Sequence, residues 1–169
     1  GLAGGDIAYY GYTGTSDFTG EDGSALRAIM RFSPMQTQLV TRADSGIGSI
    51  ADLAGKAVGC GAVGSGDEVA IRGLLGTVGL TYEDIDEYLI SVAEQATAFK
   101  DRRLDAMYLT ASAPTSGVLD AASQADCALV PITGSERDKI LTEYPFFKAT
   151  VVPKTAYTFL TEDVETIGL

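Results

Sequence analysis

The sequence contains no histidine among its 169 residues. Histidine is the commonest general base and the commonest zinc ligand, so its absence removes any Ser–His or Cys–His catalytic pair. The two cysteines, Cys60 and Cys127, stand far apart and lack the C-x-x-C spacing of metal and redox sites. No paired acid and base replaces histidine, so we expect a protein that is not an enzyme and uses no cofactor or metal. Both thiols are expected to be free and buried, with a disulfide as the alternative in an oxidising compartment.

Basic residues are also scarce: 12 lysines and arginines face 23 aspartates and glutamates, for a formal net charge of -11. Such a chain repels a phosphate backbone, so nucleic acid is not an expected partner. The sequence has no apolar run near the roughly 20 residues that a transmembrane helix needs. It also opens without the basic start and apolar stretch of a signal peptide, so we expect the true N-terminus to be missing.

Strand and helix patterns alternate between residues 43 and 145. The predicted strands are 56–60, 87–92, 105–110 and 127–132, and the predicted helices are 67–78, 93–101, 114–123 and 136–144. This alternation predicts a parallel α/β sheet with right-handed crossovers, whose ligands bind at the carboxyl ends of the strands.

Extended stretches flank this block. Two β-like runs, 26–32 and 36–41, precede it, and the stretch 148–152 follows it. Residues 36–42 and 148–152 are candidates for paired strands that cross into another domain. We therefore expect an α/β domain of residues 42–146, inserted in a second, incomplete α/β domain formed by residues 1–41 and 147–169. Because that second domain lacks strands, self-association or an expanded monomer is expected.

The most informative segment runs from Lys56 to Glu68, where a predicted strand breaks into glycines and a helix begins. A helix N-terminus has unpaired N–H groups and partial positive charge, which favours an anion by about 0.3–1 kcal/mol. Gly64, Ser65 and Gly66 are thus candidates for an anion anchor. The alternative is a tight turn that needs glycine only for its backbone geometry.

Two nucleotide-binding motifs are imitated by the same loop. Gly59, Gly61 and Gly64 satisfy the G-x-G-x-x-G pattern of dinucleotide folds, but only Glu94 follows the next predicted strand as a candidate ribose partner. A P-loop is excluded, because Asp67 and Glu68 stand where lysine and serine or threonine must meet phosphate and magnesium.

A second loop follows the strand that ends at Thr110. The hydroxyls of Thr110, Ser112 and Thr115 can donate to a carboxylate at the same edge of the sheet. Ser112 can equally act as a helix cap ahead of Pro114. The tyrosine cluster of Tyr9, Tyr10 and Tyr12 is open to two interpretations, ligand contact or core packing.

Several short segments of the sequence, in the order and spacing in which they occur, resemble the TAXI family, the TRAP-transporter-associated extracytoplasmic solute receptors. They are Asp6-Ile-Ala-Tyr-Tyr-Gly-Tyr, Arg42-Ala-Asp-Ser-Gly-Ile, Gly64-Ser-Gly-Asp-Glu and Tyr144-Pro-Phe-Phe-Lys-Ala-Thr. The resemblance implies a type II periplasmic-binding-protein fold, in which two α/β domains close on a ligand and pass it to a TRAP-type membrane permease. It also implies a periplasmic location. Glutamate, glutamine or a related small carboxylate is the implied ligand.

The resemblance also implies a set of contact residues. Gly64, Ser65, Gly66 and Asp67 would meet the ligand from one domain, Thr110, Ala111 and Thr115 from the same edge, and Tyr10 from the other domain, with Tyr157 as a weaker candidate. The chain departs from the family pattern at Thr13, where asparagine is expected, and at Lys154, where a glycine-containing turn is usual. Two alternatives stay open: a dinucleotide-dependent oxidoreductase, and a sensor or antigen domain of the same fold.

Overall fold

A computed structural model describes residues 3–30 and 33–169. Within these residues seven strands form one sheet: β1 Gln36–Arg42, β2 Ala57–Gly59, β3 Asp86–Tyr88, β4 Ala106–Ala111, β5 Cys127–Leu129, β6 Lys148–Val152 and β7 Val164–Gly168. The α-helices are α1 Gly5–Thr13, α2 Gly66–Thr77, α3 Val92–Lys100, α4 Ser116–Ala122 and α5 Gly134–Glu143. Short 3₁₀ helices span Ser16–Phe18, Ile50–Leu53 and Tyr82–Asp84.

The sheet is mixed. Its order is β3-β2-β4-β1-β7-β6, and β5 pairs with β1 beside β7. Strand β2 is parallel to β3 and β4, whereas β1 is antiparallel to β4, β5 and β7. The predicted α/β class with parallel strands is confirmed. Two strands depart from the parallel direction: β1 precedes the alternating units and runs against them through the middle of the sheet, and β6 follows them and runs antiparallel to β7.

The direction of β1 determines which of its side chains lie at the carboxyl end of β4. In its register with β4, Gln36 pairs with Ala111 and Thr41 pairs with Ala106. The beginning of β1 therefore lies beside the carboxyl end of β4. Polar side chains near the start of β1 are thereby placed at the edge of the sheet where ligands are expected.

The core lies on both faces of the sheet. Leu39 belongs to the apolar cluster beneath α2 and α5, and the next residue, Val40, belongs to the cluster beneath α3 and α4. Successive side chains of a strand point to opposite faces, so β1 serves both clusters. Cys60 and Cys127 are buried in these clusters and are unpaired. Burial raises the pKa of the Cys60 thiol to about 12.

The helices of the alternating block form where the periodicity predicts them, and local capping explains their starts. Ser91 and Glu94 form a capping box at α3, and Thr81 and Asp84 form one at the 3₁₀ turn. Each box satisfies backbone N–H groups that the helix leaves unpaired.

The flanking segments differ from expectation. Residues 3–30 contain helix α1 and no strand, so the predicted strand at 26–32 is wrong over its described part; residues 31–32 lie outside the described residues. Ile29, at its centre, is 95% exposed and has no sheet face to pack on. The stretches 36–42 and 148–152 do not pair with each other, because β7 lies between them. Strands on both sides of the expected domain boundaries thus share one sheet, and the division into two domains stays a prediction.

Candidate functional site

The loop from β2 to α2 wraps closely around the start of the helix. Gly61 and Gly64 have φ angles of +88° and +72°, in the left-handed region that favours glycine. A Cβ on Gly61 would lie 2.7 Å from the Cβ of Asp67 and 2.8 Å from the Oγ of Ser65. At Gly64, in contrast, a Cβ would meet nothing within 4 Å. Gly61 is thus needed for close packing, whereas Gly64 faces open space.

Ser65 is the N-cap of α2. Its Oγ accepts a hydrogen bond of 3.2 Å from the backbone N–H of Glu68, which leaves its hydroxyl hydrogen free to donate elsewhere. The N–H groups of Gly66 and Asp67 stand in the first turn, where the helix itself supplies no acceptor. Gly66 begins the helix and does not have a positive φ. The helix start therefore presents backbone donors and one hydroxyl.

Asp67 ties this loop to the neighbouring strand. Its Oδ1 accepts a hydrogen bond of 2.8 Å from the backbone N–H of Thr110, at the end of β4. Burial raises the pKa of Asp67 to about 6, the Thr110 N–H opposes that rise, and the charge of Asp6 adds to it. The structure thus brings the two predicted loops together through a single carboxylate that points inward.

The end of β4 is held by side chains of β1. The Oγ1 of Thr110 lies 3.3 Å from the Oγ1 of Thr37 and 3.2 Å from the hydroxyl of Tyr108. The carbonyl of Ala111 accepts a hydrogen bond of 3.0 Å from the Nε2 of Gln38. These contacts fix both candidate residues from behind the edge of the sheet.

Tyr157 supports the second loop from the core side. Its hydroxyl accepts a hydrogen bond of 2.9 Å from the N–H of Thr115 and donates one to the Oε1 of Gln38. The ring is 2% exposed. With both hydrogen-bonding functions in use, Tyr157 holds Thr115 in place. Gln38 was not singled out from the sequence, because a lone glutamine in a strand gives no signal before the register of that strand is known.

Tyr10 belongs to α1 and lies beside the middle of α2, past the start of that helix. Its ring contacts Tyr9 and Phe146, with centroids 6.0 and 5.3 Å away, and burial is the main cause that raises its pKa to about 12. It lines a groove with Val69 and Gly73 and is not brought next to the loop of Gly64 to Asp67.

Two residues of α1, Asp6 and Ile7, approach the loop, and the ionisable one is Asp6. Its Oδ2 would lie 3.4 Å from a Cβ on Gly66. The side chain is buried, which raises its pKa, while the backbone N–H groups of Ile7 and of Asp6 itself lower it. Sequence reasoning missed Asp6, because the segment was not recognised as a helix.

None of the helices in residues 3–30 and 33–169 has the length and apolar character that a membrane crossing requires. Over the same ranges, cysteine, aspartate and glutamate side chains form no group of three or more that could hold a metal ion.

The whole sequence, residues 1–169, matches one protein family. This chain belongs to the NMT1-like family. The match does not single out the TAXI receptors, so that assignment stays a proposal.

Several solved structures similar to this NMT1-like chain are solute-binding proteins. The periplasmic aliphatic sulphonate binding protein SsuA from Escherichia coli is 22% identical, with a TM-score of 0.48 over 56% of this chain and 29% of that chain. The alkanesulfonate-binding protein SsuA from Xanthomonas axonopodis pv. citri, bound to MOPS, is 21% identical, with a TM-score of 0.47 over 56% and 31%. Holo ArgBP from T. maritima is 18% identical, with a TM-score of 0.42 over 59% and 40%. The NMT1-like chain thus spans less than half the length of each of these proteins.

Proposed function

We propose that this chain is part of an extracytoplasmic solute receptor that binds a small organic anion, glutamate, glutamine or a related carboxylate. The solute would lie against the loop of Gly64, Ser65, Gly66 and Asp67 and against the loop of Thr110, Ala111 and Thr115. The observation that carries this proposal is the hydrogen bond between Asp67 and Thr110, which joins the two loops at the carboxyl edge of parallel strands. Nothing in the geometry brings Tyr10 to those loops, so the proposal rests on the loops and not on Tyr10.

The chemistry of the α2 start suits an anion. The N–H groups of Gly66 and Asp67 and the hydroxyl hydrogen of Ser65 are donors, and the helix dipole adds about 0.3–1 kcal/mol in favour of negative charge. A hydrogen bond to a charged carboxylate contributes about 1.5–3 kcal/mol. A few such bonds are enough for micromolar affinity, about -8 kcal/mol, when the loop is already in its binding geometry.

The carboxylates of Asp6 and Asp67 lie close to this helix start, and their protonation affects how tightly the proposed site binds an anion. Burial raises the pKa of Asp6 and raises that of Asp67 to about 6. Both are also engaged, Asp67 by the N–H of Thr110 and Asp6 by backbone N–H groups of its own helix. An anion that binds beside them favours their protonated forms, so the proposed site should bind more tightly near pH 5.5 than near pH 7.5.

The partner and the location are parts of the same proposal. A TRAP-type permease would accept the solute, and the receptor would work in the periplasm. Both follow from the resemblance to TAXI receptors, and the family assignment supports a receptor role. An uptake assay with the candidate permease, with and without this receptor, tests the partnership.

The rival function is dinucleotide binding by Gly59, Gly61 and Gly64. The loop does join a strand to a helix, as that motif requires. The dinucleotide motif also needs an acidic residue that is available to bind the ribose. Glu94, the candidate that follows β3, already closes the capping box on Ser91, with bonds of 2.9 and 2.7 Å to its N–H and hydroxyl. NAD therefore belongs in the test as the competing ligand.

Titration calorimetry tests the proposal with glutamate, glutamine, succinate, an alkanesulfonate and NAD. Gly64→Ala is the decisive variant and Gly46→Ala its matched control: their φ values are +72° and +73°, and a Cβ meets nothing within 4 Å at either. Both variants carry the same backbone strain, so a loss of affinity confined to Gly64→Ala, at least about tenfold, locates the solute at the loop. Gly66→Val is a second variant, although its side chain would also meet Asp6 and Ile7 of α1. Equal affinity of Gly64→Ala, Gly66→Val and the parent for every anion would show that the loop is only a structural turn.

A further inference from the structure

A groove of about 370 Å³ lies along the flank of α2, away from the proposed solute loops. Residues from α1, from the 3₁₀ turn that follows it, from α2 and from the end of α5 line it. Those used below are Tyr10, Ser16, Asp17, Arg72, Gly73 and Tyr144. None of Gly64 to Asp67 lines it. Its volume falls in the range of small-molecule sites.

One wall of the groove is aromatic. The rings of Tyr10 and Tyr144 both pack on Phe146, with centroids 5.3 and 5.7 Å away. Behind them, a cleft that Phe147 helps to line is too narrow to admit a water molecule. The two rings are thus backed by packed side chains, which gives a ligand a firm apolar surface.

The hydroxyls of Tyr10 and Tyr144 add polarity to that wall. Burial raises the pKa of both phenols, that of Tyr10 to about 12, so both keep their protons at neutral pH. Within residues 3–30 and 33–169, neither hydroxyl has a hydrogen-bond partner. Each is therefore a free donor at the groove.

The remaining lining supplies one charge of each sign. Arg72 has a half-exposed side chain, and its Nε lies 3.6 Å from the Glu68 carboxylate, beyond a good hydrogen bond. Its guanidinium has five N–H donors, so most of them are free for a planar anion. The carboxylate of Asp17, together with the hydroxyl of Ser16, supplies the acceptors.

We propose that this groove is a second binding site, for a zwitterionic amino acid with an aromatic side chain. Arg72 would bind the carboxylate, Asp17 the ammonium group, and the rings of Tyr10 and Tyr144 the aromatic side chain in an edge-to-face arrangement. An anion without an amine fits less well, because Asp17 and Glu68 outweigh the single positive charge. The inference does not rest on the proposed solute site.

Gly73 offers a sharp probe of the groove. A Cβ at this position would lie 2.9 Å from the hydroxyl oxygen of Tyr144 and 3.0 Å from its Cζ, so Gly73→Ala must displace that ring. Gly76 lies about one turn further along the same helix, and a Cβ there would meet nothing within 4 Å, so Gly76→Ala is the matched control. Both substitutions raise helix propensity equally, so only the contact with Tyr144 distinguishes them.

Arg72 has a matched control as well. Arg103 is similarly exposed, 59% against 50%, and its ion pair with Asp101 is of similar length, 3.7 Å against 3.6 Å. Arg72→Gln and Arg103→Gln remove the same charge from the protein, but only the first removes it from the groove.

The experiment is titration calorimetry of the 169-residue chain with L-phenylalanine, 3-phenylpropionate, which lacks the amine, and phenethylamine, which lacks the carboxylate. L-Phenylalanine should bind the parent, Arg103→Gln and Gly76→Ala alike and lose at least about tenfold in affinity with Arg72→Gln and with Gly73→Ala. Each of the other two probes should bind at least about tenfold more weakly than phenylalanine.

Three results would overturn the proposal: no binding of L-phenylalanine to the parent, binding by the Arg72→Gln and Gly73→Ala variants equal to that of the parent, or an affinity for 3-phenylpropionate or phenethylamine equal to that for L-phenylalanine. The same variants distinguish failure of this proposal from failure of the proposed solute site. Gly64→Ala should weaken glutamate but not phenylalanine, and Gly73→Ala should do the opposite.

Discussion

Residues 36–169 and residues 3–30 use their apolar side chains in opposite ways. In the first region, buried apolar residues fill both faces of the sheet. In the second, only Asp6 and Gly11 are buried, while Leu26, Ile29 and Met30 are 52%, 95% and 69% exposed. The first region therefore carries its own hydrophobic stabilisation. The second adds surface contacts, chiefly the packing of α1 tyrosines on Phe146.

The largest effect expected from this contrast concerns stability. Phe99, a residue of α3, is fully buried, so Phe99→Ala should lower the free energy of unfolding by about 3–5 kcal/mol. Ile29→Ala removes an exposed side chain and should change it by less than about 0.5 kcal/mol. Urea unfolding of both variants measures the difference. A large loss in Ile29→Ala would show that the second region has a packed core after all.

The next effect lies where the two regions meet. The pKa of Asp67 is raised to about 6 in the folded protein, and a free aspartate lies near 3.9. Between those values the folded state keeps a proton that the unfolded chain loses, so stability should fall as pH rises from about 4 to about 6 and then level off. The expected loss is roughly 2–3 kcal/mol, at about 1.4 kcal/mol per unit. Urea unfolding from pH 4 to pH 7 should show this slope in the parent and a smaller one in Asp67→Asn.

Asp6 sharpens that test. Its charge contributes to the raised pKa of Asp67, so Asp6→Asn should lower the Asp67 midpoint if α1 docks as described. A carboxyl-detected NMR titration reads the midpoint directly. An unchanged midpoint would mean that α1 does not hold Asp6 beside the start of α2.

A smaller effect separates capping from binding. Ser65→Ala removes the N-cap of α2 and should cost about 1 kcal/mol of stability, and Thr81→Ala removes a cap of the same kind from the 3₁₀ turn. Only Ser65→Ala should also weaken solute binding, because its hydroxyl hydrogen is not used by the helix. Equal solute affinity in both variants would leave Ser65 a cap and nothing more.

The smallest effect on stability is expected from the exposed apolar stretch of residues 26–30. Changing Leu26, Ile29 and Met30 together to serine should leave the melting temperature nearly unchanged, because all three side chains are exposed. The same change should reduce the self-association expected from the apolar surface. Sedimentation velocity at several concentrations compares the two proteins. A parent that stays monomeric at every concentration contradicts this prediction.

The helices and strands of residues 43–145 could be predicted from the sequence, because the helices have capping residues and apolar side chains at helical spacing. It did not predict the direction of β1, since alternation of side chains is the same for a parallel and an antiparallel strand. Helix α1 was missed because two glycines and several aromatic residues lower its intrinsic propensity. The signal that marks its end is Gly14, which has a φ of +63° at the C-cap.

The candidate site also has a part that could be predicted from the sequence and a part that could not. The glycine loop and the hydroxyls after β4 are local patterns and were predicted from the sequence. The bond from Asp67 to Thr110 spans 43 residues, and that from Tyr157 to Gln38 spans 119. Contacts of such separation depend on strand order and register, which no single segment encodes. The family resemblance implies Tyr157 as a weaker ligand contact, which stays a prediction, and the structure shows its hydroxyl bonded to Gln38 and to the N–H of Thr115.

The most direct test of the solute site is an NMR titration of the 169-residue chain with glutamate, following the backbone amides. We expect saturable shifts at Gly64, Ser65, Gly66 and Asp67 and at Thr110 and Thr115, and no shifts at Gly73 and Gly76. Saturable shifts confined to other parts of the chain, or no shifts with glutamate, glutamine and succinate in turn, would contradict it.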